Sequence, residues 1–348
     1  MMAAKLRVWL ILSRGSNLPT VWSNLFIGWL LGFVFAQHMP GIILAVFALV
    51  GLWLGVSLTY VGGMILNDAF DAKWDAEHRP TRPIPSGLIS LRSAYVVGWL
   101  CLVLGFLITV RSSYTDGRDV FATESGRNIF AAHRVLVAKL AFALSVCVLV
   151  YNRWHKQVAW APAVMGLCRA LLPAIGFCAL ADADQAWHTA RLFALIAHPL
   201  VLWLLTFSIT LVARHESGNG QPPRWAEFLL YLVPLPLLIA ASSLGAQPSL
   251  RLTLFGCALY WLWIYRSNRK HPLPAGVGAR VSDRLASFPL LDLAANSLFL
   301  FYTAQMYGSE STLQSAYLGV TRSSGLFWWL PLGCFGLTLL FRRWSPTT

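Results

Sequence analysis

The strongest constraint on the fold is a series of apolar segments that recur along the whole chain. A transmembrane helix needs about 17 to 25 mostly apolar residues, and a chain in lipid must satisfy its backbone polar groups internally, as helices do. The segments of suitable length lie near residues 18–36, 41–66, 94–110, 135–151, 158–180, 192–212, 227–246, 252–265, 285–305 and 325–341. Because 252–265 is short and 285–305 contains Asp292, either could be tilted or re-entrant. We therefore predict an all-α polytopic membrane bundle of nine to ten transmembrane helices, in a single domain over residues 1–348.

The charge composition separates this chain from soluble domains and from nucleic-acid-binding proteins. Only 12% of its residues are charged, against about 25% in soluble domains. The formal net charge is +13, and the basic residues concentrate in alternate loops and in both tails, as the positive-inside rule requires of cytoplasmic segments. We therefore expect a multi-pass integral protein of the cell's inner or plasma membrane, with its active site toward the cytoplasm and no nucleic-acid partner.

The N-terminal segment and the cysteines carry no functional signal. Lys5, Arg7 and Arg14 precede an apolar run of spanning length without a clear small-residue cleavage site, so we expect a first helix and not a cleaved leader. All six cysteines lie in apolar segments without Cys-x-x-Cys spacing. This favours a packing role over metal binding or disulfides.

A polar segment directly after the second predicted span contains the chemistry. It reads NDAFDAKWDAEHRPTRPIPSG and covers residues 67–87. If the helix continues into this segment, Asp68, Asp71 and Asp75 lie at i, i+3 and i+7 and therefore share one face. Three like charges repel one another, and the macrodipole disfavours anions near a helix C-terminus. This row of acids, called the acid row below, therefore needs cationic partners.

Magnesium and arginine can supply the missing positive charge. Mg²⁺ takes one or two carboxylates and completes its shell with water and phosphate oxygens, and Asn67 can add an amide oxygen or orient Asp68. Arg79 and Arg82 follow in the sequence, with planar guanidinium groups that match phosphate geometry. The pattern predicts a diphosphate site, whereas the alternative is an ordinary solvated loop beside the membrane.

The same segment resembles the signature of the UbiA-type intramembrane prenyltransferases. The matching positions are Asn67, Asp68, Asp71, Asp75, Arg79, Arg82, Pro83 and Gly87. A loose helical layout extends the resemblance over most of the chain. It implies a helical bundle around a central cavity that opens near the cytoplasmic face and laterally to lipid. It also implies Mg²⁺-dependent transfer of an isoprenoid from its diphosphate to an acceptor, with Asn67, Asp68 and Asp71 as metal ligands.

Further candidate residues lie outside this segment. By resemblance, Tyr151 and Lys156 in YNRWHK match a tyrosine and a basic residue that family members place near the diphosphate, and the alternative for both is an interfacial anchor. Arg169 is the one basic residue well inside a predicted span, where a charge is costly and usually faces a cavity. It could contact the diphosphate or a polar acceptor. Asn24 lies in the first span, where UbiA-like enzymes have an acceptor-side wall.

The third cytoplasmic loop departs from the family pattern. Family members usually carry a second aspartate-rich motif there, which holds a second magnesium ion. This chain reads LVARHESGNG and retains Arg214 and Glu216, as in UbiA-like subgroups with a reduced Arg-x-Glu motif. Glu216 could still bind metal while Arg214 compensates charge, or the activity could be lost. Asp292 is another carboxylate in an apolar segment, and it either lines the cavity or is a satisfied packing residue.

We therefore predict a prenyltransferase that moves an isoprenoid from a prenyl diphosphate to an aromatic or other small polar or lipid acceptor. Asp75, Glu216 or Asp292 could remove the proton of the acceptor. Two alternatives stay open, namely phosphoribosyl transfer to a polyprenyl phosphate and a non-catalytic protein that binds or transports isoprenoid lipids. We discount the CDP-alcohol phosphotransferases, because their Asp-Gly-x-x-Ala-Arg signature is absent from the sequence.

Overall fold

All regular secondary structure in the described residues is helical. The computed structural model describes residues 2–34, 42–113, 124–180, 196–215, 222–243, 247–273, 276–296 and 326–343. The helices are α1 (Met2–Leu12), α2 (Leu18–Val34), α3 (Ile42–His78), α4 (Leu91–Ser112), α5 (Glu124–Trp154), α6 (Ala161–Cys178), α7 (His198–Ala213), α8 (Arg224–Leu232), α9 (Leu235–Ser243), α10 (Gln247–Lys270), α11 (Val277–Ala286), α12 (288–296) and α13 (Leu326–Phe341). The predicted site residue Glu216 lies outside the described residues.

These helices confirm the prediction of an all-α membrane bundle. Within the described residues, five helical stretches are long and apolar enough to cross a membrane, namely Ile43–His78, Leu91–Ser112, Arg134–Trp154, Ala161–Cys178 and Arg224–Ser242. Helix α7 and most of α13 are also apolar but shorter. The total of nine to ten spans and the opening of the site toward the cytoplasm stay predictions.

Small residues let the helices of the bundle approach one another closely. A Cβ atom at Gly62 on α3 would come within 2.7 Å of the carbonyl oxygen of Gly98 on α4. A Cβ atom at Gly28 on α2 would overlap the backbone of Pro173 on α6. Lipid chains are as apolar as leucine, so close packing of this kind is a main source of helix association in a membrane.

Helix α3 extends through the acidic segment and ends directly after it. The residue before Pro80 avoids the helical conformation, and α3 accordingly ends at His78. Gly87 then adopts a positive φ of 78°, which costs glycine no steric strain. The prediction that the helix continues through Asp75 is confirmed, and the turn after it leads Arg82 back toward the acids.

The turn between α1 and α2 directs an N-terminal arginine onto α3. Arg14 has φ 47° and ψ 43°, in the left-handed region that costs a residue other than glycine about 1 to 2 kcal/mol. Helix α1, which the sequence analysis did not predict, supports this turn because Leu12 packs with Ile65 and Ala69 of α3. The strained turn thus lies beside the acidic end of α3.

Candidate functional site

The three acids of the acid row are buried, or nearly so, at the end of α3. Asp68 and Asp75 are 8% and 1% exposed, and the side chain of Asp71 is 12% exposed. Burying a carboxylate without a partner costs several kcal/mol. The stability of the acid row therefore depends on its cationic neighbours.

Asp68 and Asp75 share the guanidinium group of Arg82. Its Nη1 atom lies 2.8 Å from Asp75 Oδ2 and 3.4 Å from Asp68 Oδ1. Arg14 Nη2 also approaches Asp68 Oδ1, at 3.4 Å, so the arginine predicted from the motif and one from the α1–α2 turn meet at a single carboxylate oxygen. Asp75 Oδ1 is buried and has no hydrogen-bond partner within the described part of the chain.

Asp71 has a separate set of partners at the end of α5. Lys156 Nζ lies 2.9 Å from Asp71 Oδ1, and His155 Nε2 lies 3.3 Å from Oδ2. The Lys156 ammonium group also lies 3.8 Å from the centre of the Trp74 ring, a cation–π contact. His155 stacks on Tyr151 with ring centres 5.1 Å apart. Lys156 therefore contacts the acid row, and His155 joins it as a residue that the sequence analysis missed.

A cavity of about 140 Å³ lies inside the bundle between α2, α3, α5, α6 and α7. Apolar side chains such as Val56, Leu144 and Ile209 form much of its wall. Its polar lining residues are Arg14, Asn17, Thr59, Tyr60, Tyr151, Asn152, Arg169, Thr206 and Thr210. Because Arg14 lines the cavity and pairs with Asp68, the cavity adjoins the acid row.

Asn67 is held in place by another asparagine that lines the cavity. Its Nδ2 atom donates to Asn152 Oδ1 at 3.2 Å, and Asn152 Nδ2 donates to the carbonyl oxygen of Gly63 at 2.9 Å. The chain of bonds joins α3 to α5 beside the acids. The Oδ1 atom of Asn67 is the amide oxygen available to a ligand in this arrangement.

A second polar network holds Arg169 in the wall of the cavity. Arg169 Nη1 donates to Asn24 Oδ1 at 3.1 Å, and Asn24 Nδ2 donates to Asp292 Oδ2 at 2.8 Å. The other oxygen of Asp292 lies 2.8 Å from His198 Nε2. Asn24 and Asp292 are fully buried and do not belong to the described cavity lining. Their direct contact with substrate stays a prediction, whereas their contact with Arg169 is part of the structure.

The remaining predicted residues lie around the acid row. Arg214 Nη2 donates to the carbonyl oxygens of His155 and Val158, at 2.9 and 2.6 Å, and so joins the end of α7 to the loop that carries Lys156. The guanidinium carbon of Arg79 lies 5.9 Å from the centre of the Trp74 ring. The predicted residues that the structure brings together are thus Asn67, Asp68, Asp71, Asp75, Arg82 and Lys156.

Four polar residues of these networks were missed from the sequence. Arg14 was counted only as a charge that sets topology, and Asn152 and His155 stand beside the predicted Tyr151 and Lys156. His198 had a usable signal, because it is a polar residue inside the predicted span 192–212, and position inside an apolar segment is the criterion that singled out Arg169 and Asp292.

The donor chemistry of the acid row fits a magnesium ion that arrives with phosphate oxygens. Within the described residues, no group of three or more His, Cys, Asp or Glu side chains is arranged to hold a metal ion alone. Mg²⁺ does not need such a cage, because it commonly takes one or two carboxylates and completes its shell with water and substrate phosphate. Asp68 and Asp71 are the carboxylates that would fill this role, and Asn67 would add an amide oxygen.

Comparison with known proteins identifies the family. The sequence model of the UbiA prenyltransferase family matches residues 25–277. The chain belongs to this family. It is accordingly an integral membrane protein of a family of enzymes that transfer prenyl groups.

Individual relatives match over shorter stretches or at low identity. The digeranylgeranylglyceryl phosphate synthase of Methanosarcina barkeri is 32% identical over 113 residues, which are 31% of this chain and 39% of that protein. This chain therefore spans less than half of that relative. A solved structure of a digeranylgeranylglyceryl phosphate synthase in membranes shares the fold, with a TM-score of 0.50 and 17% identity over 84% of this chain and 97% of that chain. A UbiA homolog from Archaeoglobus fulgidus, solved with GPP and Mg²⁺, is 14% identical over 94% of this chain and 99% of that chain, with a TM-score of 0.44.

Proposed function

We propose that the chain transfers a prenyl group from a prenyl diphosphate to an acceptor inside the bundle. The observation that carries this proposal is the position of Arg14, which pairs with Asp68 and also lines the cavity. A diphosphate bound at the acid row would therefore direct its hydrocarbon chain toward a largely apolar space.

The ion pairs of the acid row set the conditions under which a diphosphate can bind. The three carboxylates are paired with three permanent cations, Arg14, Arg82 and Lys156, so the row is close to neutral without substrate. A diphosphate brings several negative charges and competes with Asp68 and Asp71 for these cations. The carboxylates that it displaces need new positive charge, which favours a diphosphate that arrives with a divalent cation.

Asp68, Asp71 and Asn67 are the residues that would hold Mg²⁺, with Glu216 as a further candidate. When bound, Mg²⁺ would neutralise charge on the leaving diphosphate. Arg82 and Lys156 would provide fixed positive charge for the same leaving group.

The cavity wall protects the reacting carbon from water. In the reaction, the bond between the prenyl carbon and the diphosphate oxygen breaks and its electron pair leaves with the diphosphate. An acceptor atom forms the new bond to that carbon and loses its proton. Apolar residues such as Val56 and Leu144 exclude water that would otherwise capture the carbon. The rings of Tyr60 and Tyr151 line the cavity and can stabilise developing positive charge on the prenyl group. Asp75, Glu216 and Asp292 stay candidates for the proton acceptor.

For the acceptor, we propose a glyceryl phosphate lipid ahead of an aromatic acid. The support is the name shared by the curated relatives, digeranylgeranylglyceryl phosphate synthase, together with the cation that Arg169 presents in the cavity wall. Asn24 fixes that guanidinium group, so an anionic acceptor would meet a preorganised donor. An aromatic carboxylate could use the same contact, and both classes therefore belong in the test.

The test is release of pyrophosphate by the purified protein in detergent. The protein is incubated with Mg²⁺, prenyl diphosphates of several chain lengths and two acceptors, a prenylated glyceryl phosphate and 4-hydroxybenzoate, and products are identified by mass spectrometry. We expect acceptor-dependent pyrophosphate release. Asp68→Asn and Asp71→Asn should each lower turnover by about 100-fold or more, because each removes a carboxylate that would hold the Mg²⁺ of the leaving diphosphate.

Glu77→Gln is the matched control, because Glu77 is an exposed acid on the same helix and its loss should leave turnover unchanged. Near-normal turnover of the Asp68 or Asp71 variant would contradict the proposed site. No pyrophosphate with any prenyl diphosphate would favour a binding or transport protein. A parallel reaction contains phosphoribosyl diphosphate and a polyprenyl phosphate, and pyrophosphate release in that reaction alone would favour sugar transfer.

A further inference from the structure

A basic cleft lies at the C-terminal end of α10, apart from the acid row. Its lining residues are Trp263, Tyr265, Arg266, Ser267, Arg269, Lys270 and Asp283, and we call it the α10 cleft. The two arginines and the lysine are exposed and lie in the last turn or so of α10. Asp283 is paired with Arg342 at 3.4 Å and with His271 at 3.6 Å. The α10 cleft therefore carries a net positive charge.

A buried hydroxyl group in the α10 cleft lacks a partner. Ser267 is 3% exposed, and its Oγ atom makes no hydrogen bond within the described residues. Leaving a buried donor unsatisfied costs about 1 to 3 kcal/mol, and an oxygen of a bound ligand would remove that cost. The positive-inside rule accounts for the side on which the basic residues lie. It does not account for a buried hydroxyl group among them that has no hydrogen-bond partner within the described residues.

Contacts behind the cleft hold α10 rigidly against α11. The Arg284 Nη2 atom donates to Asn268 Oδ1 at 3.2 Å, and Arg280 Nη2 donates to the carbonyl oxygen of Asn268 at 3.1 Å. Trp263 Nε1 donates to the carbonyl oxygen of Asp283 at 2.7 Å. The residues that line the cleft are therefore positioned before any ligand arrives.

The α10 cleft continues into an exposed apolar stripe on the same helix. Leu254, Phe255, Leu262 and Tyr265 are 44%, 58%, 53% and 51% exposed, and their spacing places them on one helix face; we call them the α10 stripe. From Leu254 to Tyr265 the stripe is about 17 Å long at 1.5 Å per residue. This length is close to half of the hydrocarbon core, which is about 30 Å thick.

We propose that the α10 cleft binds the phosphate headgroup of an anionic membrane lipid, whose acyl chains lie along the α10 stripe. Positive charge in the cleft complements the phosphate, and the Ser267 hydroxyl group donates to one of its oxygens. The continuous apolar stripe matches a leaflet-length chain, a feature that a free phosphate ion would not need. Trp263 and Tyr265 are of the residue types that prefer the level of lipid headgroups, and basic pockets between helices bind anionic headgroups.

The experiment measures lipid binding to delipidated protein in neutral detergent by native mass spectrometry. The probes are palmitoyl-oleoyl phosphatidylglycerol, the corresponding phosphatidylcholine and inorganic phosphate. We expect phosphatidylglycerol to bind about tenfold or more tightly than phosphatidylcholine. The triple variant R266Q/R269Q/K270Q should bind phosphatidylglycerol about 100-fold more weakly, since each basic residue near a membrane surface contributes about fivefold.

The matched control is the triple variant R92Q/R111Q/R224Q, which removes the same formal charge from exposed positions elsewhere and should bind phosphatidylglycerol as the unmodified protein does. Ser267→Ala keeps all charges and should weaken binding a few fold, so it decides the question if the triple variant does not fold. Equal binding of the two lipids, equal losses in both triple variants, or unchanged binding by Ser267→Ala would overturn the proposal. Inorganic phosphate that binds as tightly as phosphatidylglycerol would also overturn it, because the lipid chain would then contribute nothing.

Discussion

Replacement of Asp292 by alanine is expected to lower the free energy of unfolding by about 3 to 5 kcal/mol. The carboxylate is fully buried and accepts from Asn24 Nδ2 at 2.8 Å, and its other oxygen lies 2.8 Å from His198 Nε2. Hydrogen bonds to charged groups contribute about 1.5 to 3 kcal/mol each, so two of them give about 3 to 6 kcal/mol. Two independent estimates of the loss therefore agree.

A more conservative variant separates hydrogen bonding from charge. Asp292→Asn keeps the volume and one acceptor oxygen, so we expect about half of the alanine effect, or about 1.5 to 3 kcal/mol. It also removes the negative charge that is linked to Arg169 through the hydrogen bonds of Asn24. In the double variant Asp292→Asn/Arg169→Gln, the combined loss should be smaller than the sum by about 1 kcal/mol or more.

Unfolding in mixed detergent micelles of increasing SDS fraction, followed by tryptophan fluorescence, measures these differences. The control Glu77→Ala removes an exposed acid and should change stability by less than about 0.5 kcal/mol. In the transfer assay, Asp292→Asn should raise the KM of an anionic acceptor more than it lowers kcat, because Arg169 loses its fixed orientation. A loss below about 1 kcal/mol for Asp292→Ala, or strict additivity in the double variant, would refute the assigned network.

Other predictions concern packing, the strained turn and the metal. Gly28→Ala should lower the thermal midpoint by several degrees, because the new Cβ overlaps the backbone of Pro173 and overpacking costs about 1 to 3 kcal/mol. The control Gly336→Ala places its Cβ in open space and should leave the midpoint unchanged. Equal midpoints for the two variants would contradict this packing. Arg14→Gly should raise the KM for prenyl diphosphate about tenfold, because it removes a cation that lies between Asp68 and the cavity; an unchanged KM would remove Arg14 from the site. Chelation by EDTA should abolish pyrophosphate release and added Mg²⁺ should restore it, whereas release that persists in EDTA would exclude the metal.

The acid row could be predicted from the sequence because its geometry is local. The spacing of Asp68, Asp71 and Asp75 fixes a common helix face once the helix continues, and Pro80 marks where it stops. The same holds for the apolar segments, whose length alone indicates membrane helices. Side chains within two turns of one helix require no knowledge of the tertiary fold.

The partners of these acids could not be predicted in the same way. Arg14 is separated from Asp68 by 54 positions and reaches it only through a left-handed turn, which no periodicity encodes for a residue other than glycine. Asn24 and Asp292 are 268 positions apart and meet only after α2, α6 and α12 have packed. Sequence patterns therefore located the chemically unusual residues, whereas the fold decided which of them meet.

The reduced second motif is compatible with the charge balance of the site. Arg214 donates to the carbonyl oxygens of His155 and Val158, which flank Lys156 on its loop, and Lys156 in turn lies 2.9 Å from Asp71. A side chain that fixes this loop also fixes the lysine ammonium group beside the acid row. Lys156 therefore contributes fixed positive charge beside the acid row, in addition to the Mg²⁺ that Asp68 and Asp71 would hold. Arg214 holds the backbone on both sides of Lys156, so this positive charge is already in place when a diphosphate arrives with its Mg²⁺.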